Sequence, residues 1–215
     1  MKTESAVEKI SRLGLVPVVK IDRAEDALPL AAALKRGGLC CAEITFRTDA
    51  AEDAIRRIAE AYPEFLLGAG TVLTCDQADR AVKAGAGFIV SPGLNPAVVT
   101  HCLEKGYAVV PGVCTPSEVE AGLSLGLSHL KFFPAEAAGG VKMIKAMSAP
   151  YGGVKFMPTG GISAGNLGDY LSCKAVFACG GSWMVSGELI NAGRFDEIEK
   201  LTAQAAGLVK EIRGK

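Results

Sequence analysis

Eight short runs of aliphatic and β-branched residues recur along the chain, at positions 15–20, 41–46, 65–69, 87–91, 107–111, 129–133, 154–158 and 175–180. Their lengths are those of β-strands, and successive runs begin roughly 20 to 26 residues apart. The intervals carry helical periodicity, as at 24–36, 51–61, 75–84 and 116–125. A strand–helix unit repeated eight times predicts an α/β fold, specifically a single-domain (β/α)8 TIM barrel.

The runs are continuously apolar, as expected of parallel strands covered by helices on one face and packed side chains on the other. Gly37-Gly38, Gly85, Gly106 and Gly126 each close a helical stretch before the next strand, as left-handed caps do. A further helix at about 5–13 precedes the first strand and is expected to plug the bottom of the barrel. No low-complexity linker interrupts the series. With 215 residues, 49% of them hydrophobic, one domain over residues 1–215 is expected.

Lys+Arg and Asp+Glu both number 23, so net charge offers no general attraction for nucleic acid or an anionic bilayer. Any anionic ligand must be held by a local site. The apolar stretches fall well short of the ~20 residues of a spanning helix, and secretion is not indicated. Seven cysteines form an odd set without a CxxC pair and read as reduced core thiols of a cytoplasmic protein. Neither His101 nor His129 lies at metal-ligand spacing from other ligands, so no metal and no cofactor is called for.

Charges inside apolar strands are the informative anomaly, because an unpaired buried charge is costly. The second run reads Cys41-Ala-Glu43-Ile-Thr45-Phe-Arg47, and strand alternation puts Glu43, Thr45 and Arg47 on one face. The sixth reads His129-Leu-Lys131-Phe-Phe133, and the same parity turns Lys131 inward. Strands two and six of an eight-stranded barrel face each other, so Glu43 and Lys131 are expected to meet across the axis. One reading is a structural salt bridge. The other is chemical: among Phe132, Phe133 and aliphatic neighbours, with Arg47 nearby, the charged ammonium is disfavoured and the neutral amine can attack a ketone. Lys20, ending the first run, is the rival nucleophile; Lys155 opens the seventh and belongs to the wrong face.

Pro158-Thr159-Gly160-Gly161-Ile162-Ser163 follows strand seven and Cys179-Gly180-Gly181-Ser182-Trp183 follows strand eight, where barrels commonly bind phosphate through backbone N–H groups. One Gly-Gly pair signals no more than a turn, whereas two pairs at these positions point to a phosphate cradle. Gly68-Ala-Gly70-Thr71 lacks the third glycine of a dinucleotide fingerprint. Thr71 and Ser91-Pro92-Gly93 end strands three and four, where they can orient a small substrate or merely cap turns. Trp183 reads as packing.

Seven blocks, AEITFRTDAAEDAI, GAGTVLT, SPGLNP, PGVCTPSE, LKFFPAEAAGGVK, PTGGIS and GGSW, span nearly the whole chain in order. Together they resemble the 2-dehydro-3-deoxy-6-phosphogluconate/4-hydroxy-2-oxoglutarate aldolases, class I enzymes of the Entner-Doudoroff route. The resemblance implies a homotrimer of (β/α)8 barrels with Lys131 as the Schiff-base residue and Glu43 as the proton shuttle. It implies Arg47 as ligand of the substrate carboxylate, with Thr71, Pro92, Phe133 and Thr159 also binding substrate. Gly160, Gly161, Gly180, Gly181 and Ser182 would bind phosphate. The partners implied are a 2-keto acid and a phosphorylated aldehyde. Three alternatives stay open: the phosphogalactonate epimer as substrate, a phosphosugar isomerase or epimerase on the same barrel, and a barrel that only binds a phosphorylated effector.

Overall fold

In the computed structural model, which describes residues 4–214, the path opens on a capping box. The Ser5 hydroxyl accepts from Glu8 N, and the Glu8 carboxylate accepts from Ser5 N, fixing the start of helix α1 (Ala6–Leu13). Gly14, at φ 74°, ends it and turns the chain into β1 (Leu15–Val19). After a 3-10 turn (Ala24–Asp26), strands and helices alternate: α2 (Ala27–Arg36), β2 (Cys41–Thr45), α3 (Ala51–Ala61), β3 (Leu66–Gly70) and α4 (Cys75–Lys83). There follow β4 (Phe88–Val90), α5 (Pro96–Glu104), β5 (Val109–Val110), β6 (Gly112–Val113), α6 (Pro116–Ser124), β7 (His129–Phe132) and α7 (Gly140–Ser148). The last elements are β8 (Lys155–Pro158), α8 (Leu167–Leu171), β9 (Cys179–Gly181), a 3-10 turn (Trp183–Val185), α9 (Gly187–Asn191) and α10 (Phe195–Arg213).

The strands pair in parallel. A curled six-stranded sheet has the order β5-β4-β3-β2-β1-β9, and a second sheet has the order β6-β7-β8. Two isolated parallel bridges, Phe156↔Val176 and Thr159↔Gly180, link β8 to the β9 region. Two of the eight expected strands form differently, each for a local reason. The run at 107–111 becomes β5 and β6, separated by Pro111, which has no N–H for the ladder while its carbonyl accepts from Lys131 N at 2.9 Å. The run at 175–180 is regular only from Cys179, because consecutive residues Phe177 and Ala178 both pack into one inner cluster, against the pleat's alternation.

The left-handed caps form at Gly38, Gly85, Gly106 and Gly126, with φ between 72° and 112°; Gly37 itself stays right-handed. The main hydrophobic core lies between strands and helices and includes Ala42, Ile44, Leu130 and Phe132. A smaller cluster takes Val16 from β1, Cys41 from β2, Phe88 and Val90 from β4, Val110 from β5 and Met157 from β8. Ile10 of α1, wholly buried, belongs to it; burying such a side chain contributes about 1.5–3 kcal/mol.

Candidate active site

Strand β2 carries its polar residues on the face opposite Ala42 and Ile44, which pack outward into the main core. Glu43 is fully buried, and on β7 Lys131 is 5% exposed. Their side chains meet, with Lys131 Nζ 3.5 Å from Glu43 Oε1. Lys131 Nζ also lies 5.3 Å from the centre of the Phe133 ring. Phe132 does not line the amine: it packs outward with Phe156, as its own parity requires. The lysine's apolar wall is therefore Phe133 without its neighbour.

Space for Glu43 comes from Gly70, read in the sequence only as part of an incomplete dinucleotide fingerprint. A Cβ built on Gly70 would lie 2.1 Å from Glu43 Oε1, so a larger residue there and this carboxylate position are incompatible. Gly68 makes the same kind of room for the Phe88 ring, at 2.2 Å. The available signal was glycine in a strand interior, which marks close approach of another group. The second Glu43 oxygen, Oε2, is buried with no partner among the described residues.

The other expected residues gather at the C-terminal strand ends. Thr71 directly follows β3 and takes φ 56°, a left-handed conformation that non-glycine residues seldom adopt. Pro92 follows β4 in a turn closed by a bond from Ser91 Oγ to Gly93 O at 2.7 Å. Its carbonyl approaches Gly112 so closely that a Cβ there would sit 2.1 Å away. Gly112 in turn pairs with Lys131, which brings the Pro92 turn to the lysine's strand. Gly112 is a second glycine whose purpose was not read from the sequence.

Arg47 lies just beyond β2, exposed, with its Nε donating to Thr45 Oγ1 at 3.1 Å. It lines a cavity of about 350 Å3 with Thr48, Asp49, Glu52, Gln77 and Arg80. Thr159 is 7% exposed, and its Oγ1 has no partner among the described residues. The missing side chain of Gly180 admits that hydroxyl, since a Cβ would meet it at 2.5 Å.

Gly160 and Gly161 have φ 99° and 80°, so both need glycine. Glu136 N donates to Gly160 O at 3.1 Å and the Glu136 side chain packs against Gly161, tying this turn to the loop after β7. Tyr170 of α8 donates its hydroxyl to the Glu136 carboxylate; burial first, then that bond, raises the phenol well above its ordinary range. Gly180 and Gly181 are not in a loop after the last strand, as expected, but inside β9, paired with Val16 and Pro17. Gly181 is bare because the Trp183 ring covers it, at 2.1 Å from a notional Cβ, so Trp183 packs as expected. Ser182, next along, is exposed.

The rival lysines stand elsewhere. Lys20 is half-exposed and bound to Asp22 at 2.5 Å, and Lys155 donates to Lys174 O at 2.8 Å at the N-terminal end of β8.

A parallel α/β protein that buries a lysine of one strand against a glutamate of another has the layout of a lysine-dependent enzyme. Residues 7–201 match the model of the family described as KDPG and KHG aldolase. The 2-dehydro-3-deoxy-phosphogluconate aldolase of Haemophilus influenzae is 48% identical over 208 residues, which cover 97% of this chain and 98% of that protein. The KHG/KDPG aldolase of Escherichia coli is 44% identical over 203 residues, covering 94% and 95%. In structure, the chain is similar to the KDPG aldolase of Legionella pneumophila with pyruvate captured as a covalent carbinolamine, with TM-score 0.90, 40% identity and 93% and 97% coverage. This chain belongs to the KDPG and KHG aldolase family.

Proposed function

We propose that this protein is a class I aldolase. It cleaves 2-dehydro-3-deoxy-6-phosphogluconate to pyruvate and glyceraldehyde 3-phosphate and also acts on 4-hydroxy-2-oxoglutarate. The observation that carries this is the buried approach of Lys131 Nζ to Glu43 Oε1 at 3.5 Å.

The neutral amine of Lys131 adds to the C2 carbonyl of the keto acid, and Glu43 moves protons to and from the resulting carbinolamine. Loss of water leaves an iminium ion, the electron sink. Glu43 then takes the C4 hydroxyl proton, directly or through water. The C3–C4 bond breaks, its electrons enter the iminium, and the aldehyde phosphate departs. Protonation of the enamine at C3 and hydrolysis release pyruvate and restore the amine.

Arg47 clamps the pyruvate carboxylate through paired N–H donors. Thr71, Pro92, Phe133 and Thr159 shape the substrate site around it. The backbone of Gly160 and Gly161, with Gly180, Gly181 and Ser182, receives the phosphate; the left-handed Gly160-Gly161 turn supports this reading.

We read the two sheets as one closed (β/α)8 barrel forming a single domain. Its support is the pair of bridges from β8 to the β9 region, together with the continuity of β5 and β6 through Pro111. Ile10 in the inner cluster supports α1 as the plug. The homotrimer follows from the family resemblance, and light scattering at about three times the 22.2 kDa chain mass is its test. A cytoplasmic setting is supported by seven free thiols, of which Cys41, Cys102, Cys173 and Cys179 are buried. Among the described residues no helix is long and apolar enough to cross a membrane.

Borohydride added with pyruvate tests the mechanism. The expected result is a covalent adduct that peptide mapping places on Lys131 and that Lys131→Ala abolishes. An adduct on Lys20, or activity lost on chelation, defeats the assignment. Isomerisation that survives Lys131→Ala would favour a phosphosugar isomerase instead. Rates on the gluconate and galactonate epimers decide between those two substrates.

A further inference from the structure

The middle residue of the polar face of β2 has no part in the reaction outlined above, yet it is the most constrained of the three in its bonding. Thr45 is 1% exposed, and its hydroxyl donates to Val19 O at 2.8 Å. Arg47 Nε donates to the same oxygen at 3.1 Å. A guanidinium nitrogen can only donate, so the hydroxyl hydrogen is committed to the Val19 carbonyl and a lone pair to the arginine. One buried oxygen thus satisfies the last carbonyl of β1 and fixes the direction of a long, otherwise exposed side chain.

The choice of a hydroxyl has an electrostatic consequence. The neighbouring cation in this cavity, Arg80, is held by the Glu52 carboxylate at 2.6 Å, which largely cancels its charge. Arg47 has no ion-pair partner among the described residues. A neutral hydroxyl aims the guanidinium through Nε without adding a carboxylate to pair with it, and leaves its two terminal nitrogens free to grip the carboxylate of a ligand.

We infer that Thr45 is a positioning residue for the carboxylate of the keto acid, acting through Arg47. This rests on the reading of Arg47 as the carboxylate clamp. The test is borohydride trapping on Lys131 across a range of pyruvate concentrations, in Thr45→Val, Thr45→Ser, Arg47→Ala and the Thr45→Val/Arg47→Ala double variant. Thr45→Val, nearly isosteric but without the hydroxyl, is expected to raise the half-saturating pyruvate concentration about tenfold, the scale of one hydrogen bond to a charged group. Its maximal trapping rate should stay near that of the parent, Thr45→Ser should restore the concentration dependence, and Thr45→Val should add nothing once Arg47 is alanine.

A Thr45→Val effect confined to the maximal rate overturns the inference, as does a Thr45→Ser variant as poor as Thr45→Val. The same tenfold increment in the Arg47→Ala background also overturns it. If Arg47→Ala itself leaves pyruvate dependence unchanged, the clamp reading fails first. If Arg47→Ala weakens pyruvate binding and Thr45→Val does not, the positioning role fails alone.

Discussion

Glu43 occupies space that only glycine at position 70 leaves open, because a Cβ there would lie 2.1 Å from the carboxylate Oε1. Both residues sit in the paired ladder of β2 and β3, where Thr45 partners Gly70 and Glu43 partners Gly68, so neither backbone can easily retreat. Gly70→Ala should therefore swing the carboxylate away from Lys131 while leaving the fold assembled. The expected loss in kcat is on the order of 10²- to 10⁴-fold, the scale of a lost general acid–base. A Gly70→Ala enzyme with parental kcat would show that Glu43 is not needed where it stands.

The Lys131–Glu43 pair should cost stability when broken from one side. Removing one partner of a buried pair strands the other charge, typically at about 3–5 kcal/mol. Urea denaturation of Lys131→Ala is expected to show a loss of that order. Glu43→Gln/Lys131→Met, which leaves no charge, should recover most of it while remaining inactive. Equal stability of Lys131→Ala and the parent would mean that the amine and carboxylate form no ion pair in the substrate-free protein.

Ser182 stands exposed beside the bare glycines of β9. Ser182→Ala removes one hydroxyl and is expected to raise KM for the phosphorylated substrate by up to about tenfold. KM for 4-hydroxy-2-oxoglutarate, which has no phosphate, should stay constant. Steady-state kinetics on both substrates decide the point, and matching losses would remove the hydroxyl from the phosphate site.

Glu118 links helix capping to pH. Burial raises its pKa, but bonds from Cys114 N, from the Thr115 hydroxyl and from Thr115 N outweigh this, and the carboxyl is held below its ordinary value. A carboxyl lowered by folding contributes stability above its unfolded pKa of about 4.3, and loses that contribution as pH falls through the lower folded value. Glu118→Gln should therefore lower Tm at neutral pH, with the gap to the parent closing below about pH 4. A gap that stayed constant across this range would exclude the carboxylate as its source.

Strand and helix periodicity was legible because it is local: an apolar run and a closing Gly85 each act over a few residues. The parity of β2 and β7 was legible for the same reason, since side chains alternate along any strand, and it turned Glu43 and Lys131 to one side. What Phe132 touches also followed from parity, although the pairing of Phe132 with Phe133 in sequence suggested a shared wall.

The purpose of Gly70, Gly112 and Gly180 was not legible, because each makes room for a group from another strand or loop: Glu43, the Pro92 carbonyl and the Thr159 hydroxyl. The late start of β9 likewise depended on which cluster received Phe177 and Ala178. By itself the sequence determined the parallel α/β class, the order of elements and the charged residues to watch, all set by short-range sterics and hydrophobic patterning. Tertiary structure alone decided that the amine and carboxylate stop 3.5 Å apart and that the Thr45 hydroxyl reaches the Val19 carbonyl of β1. Those distances are set by packing between segments up to 88 residues apart, and no local pattern records such contacts.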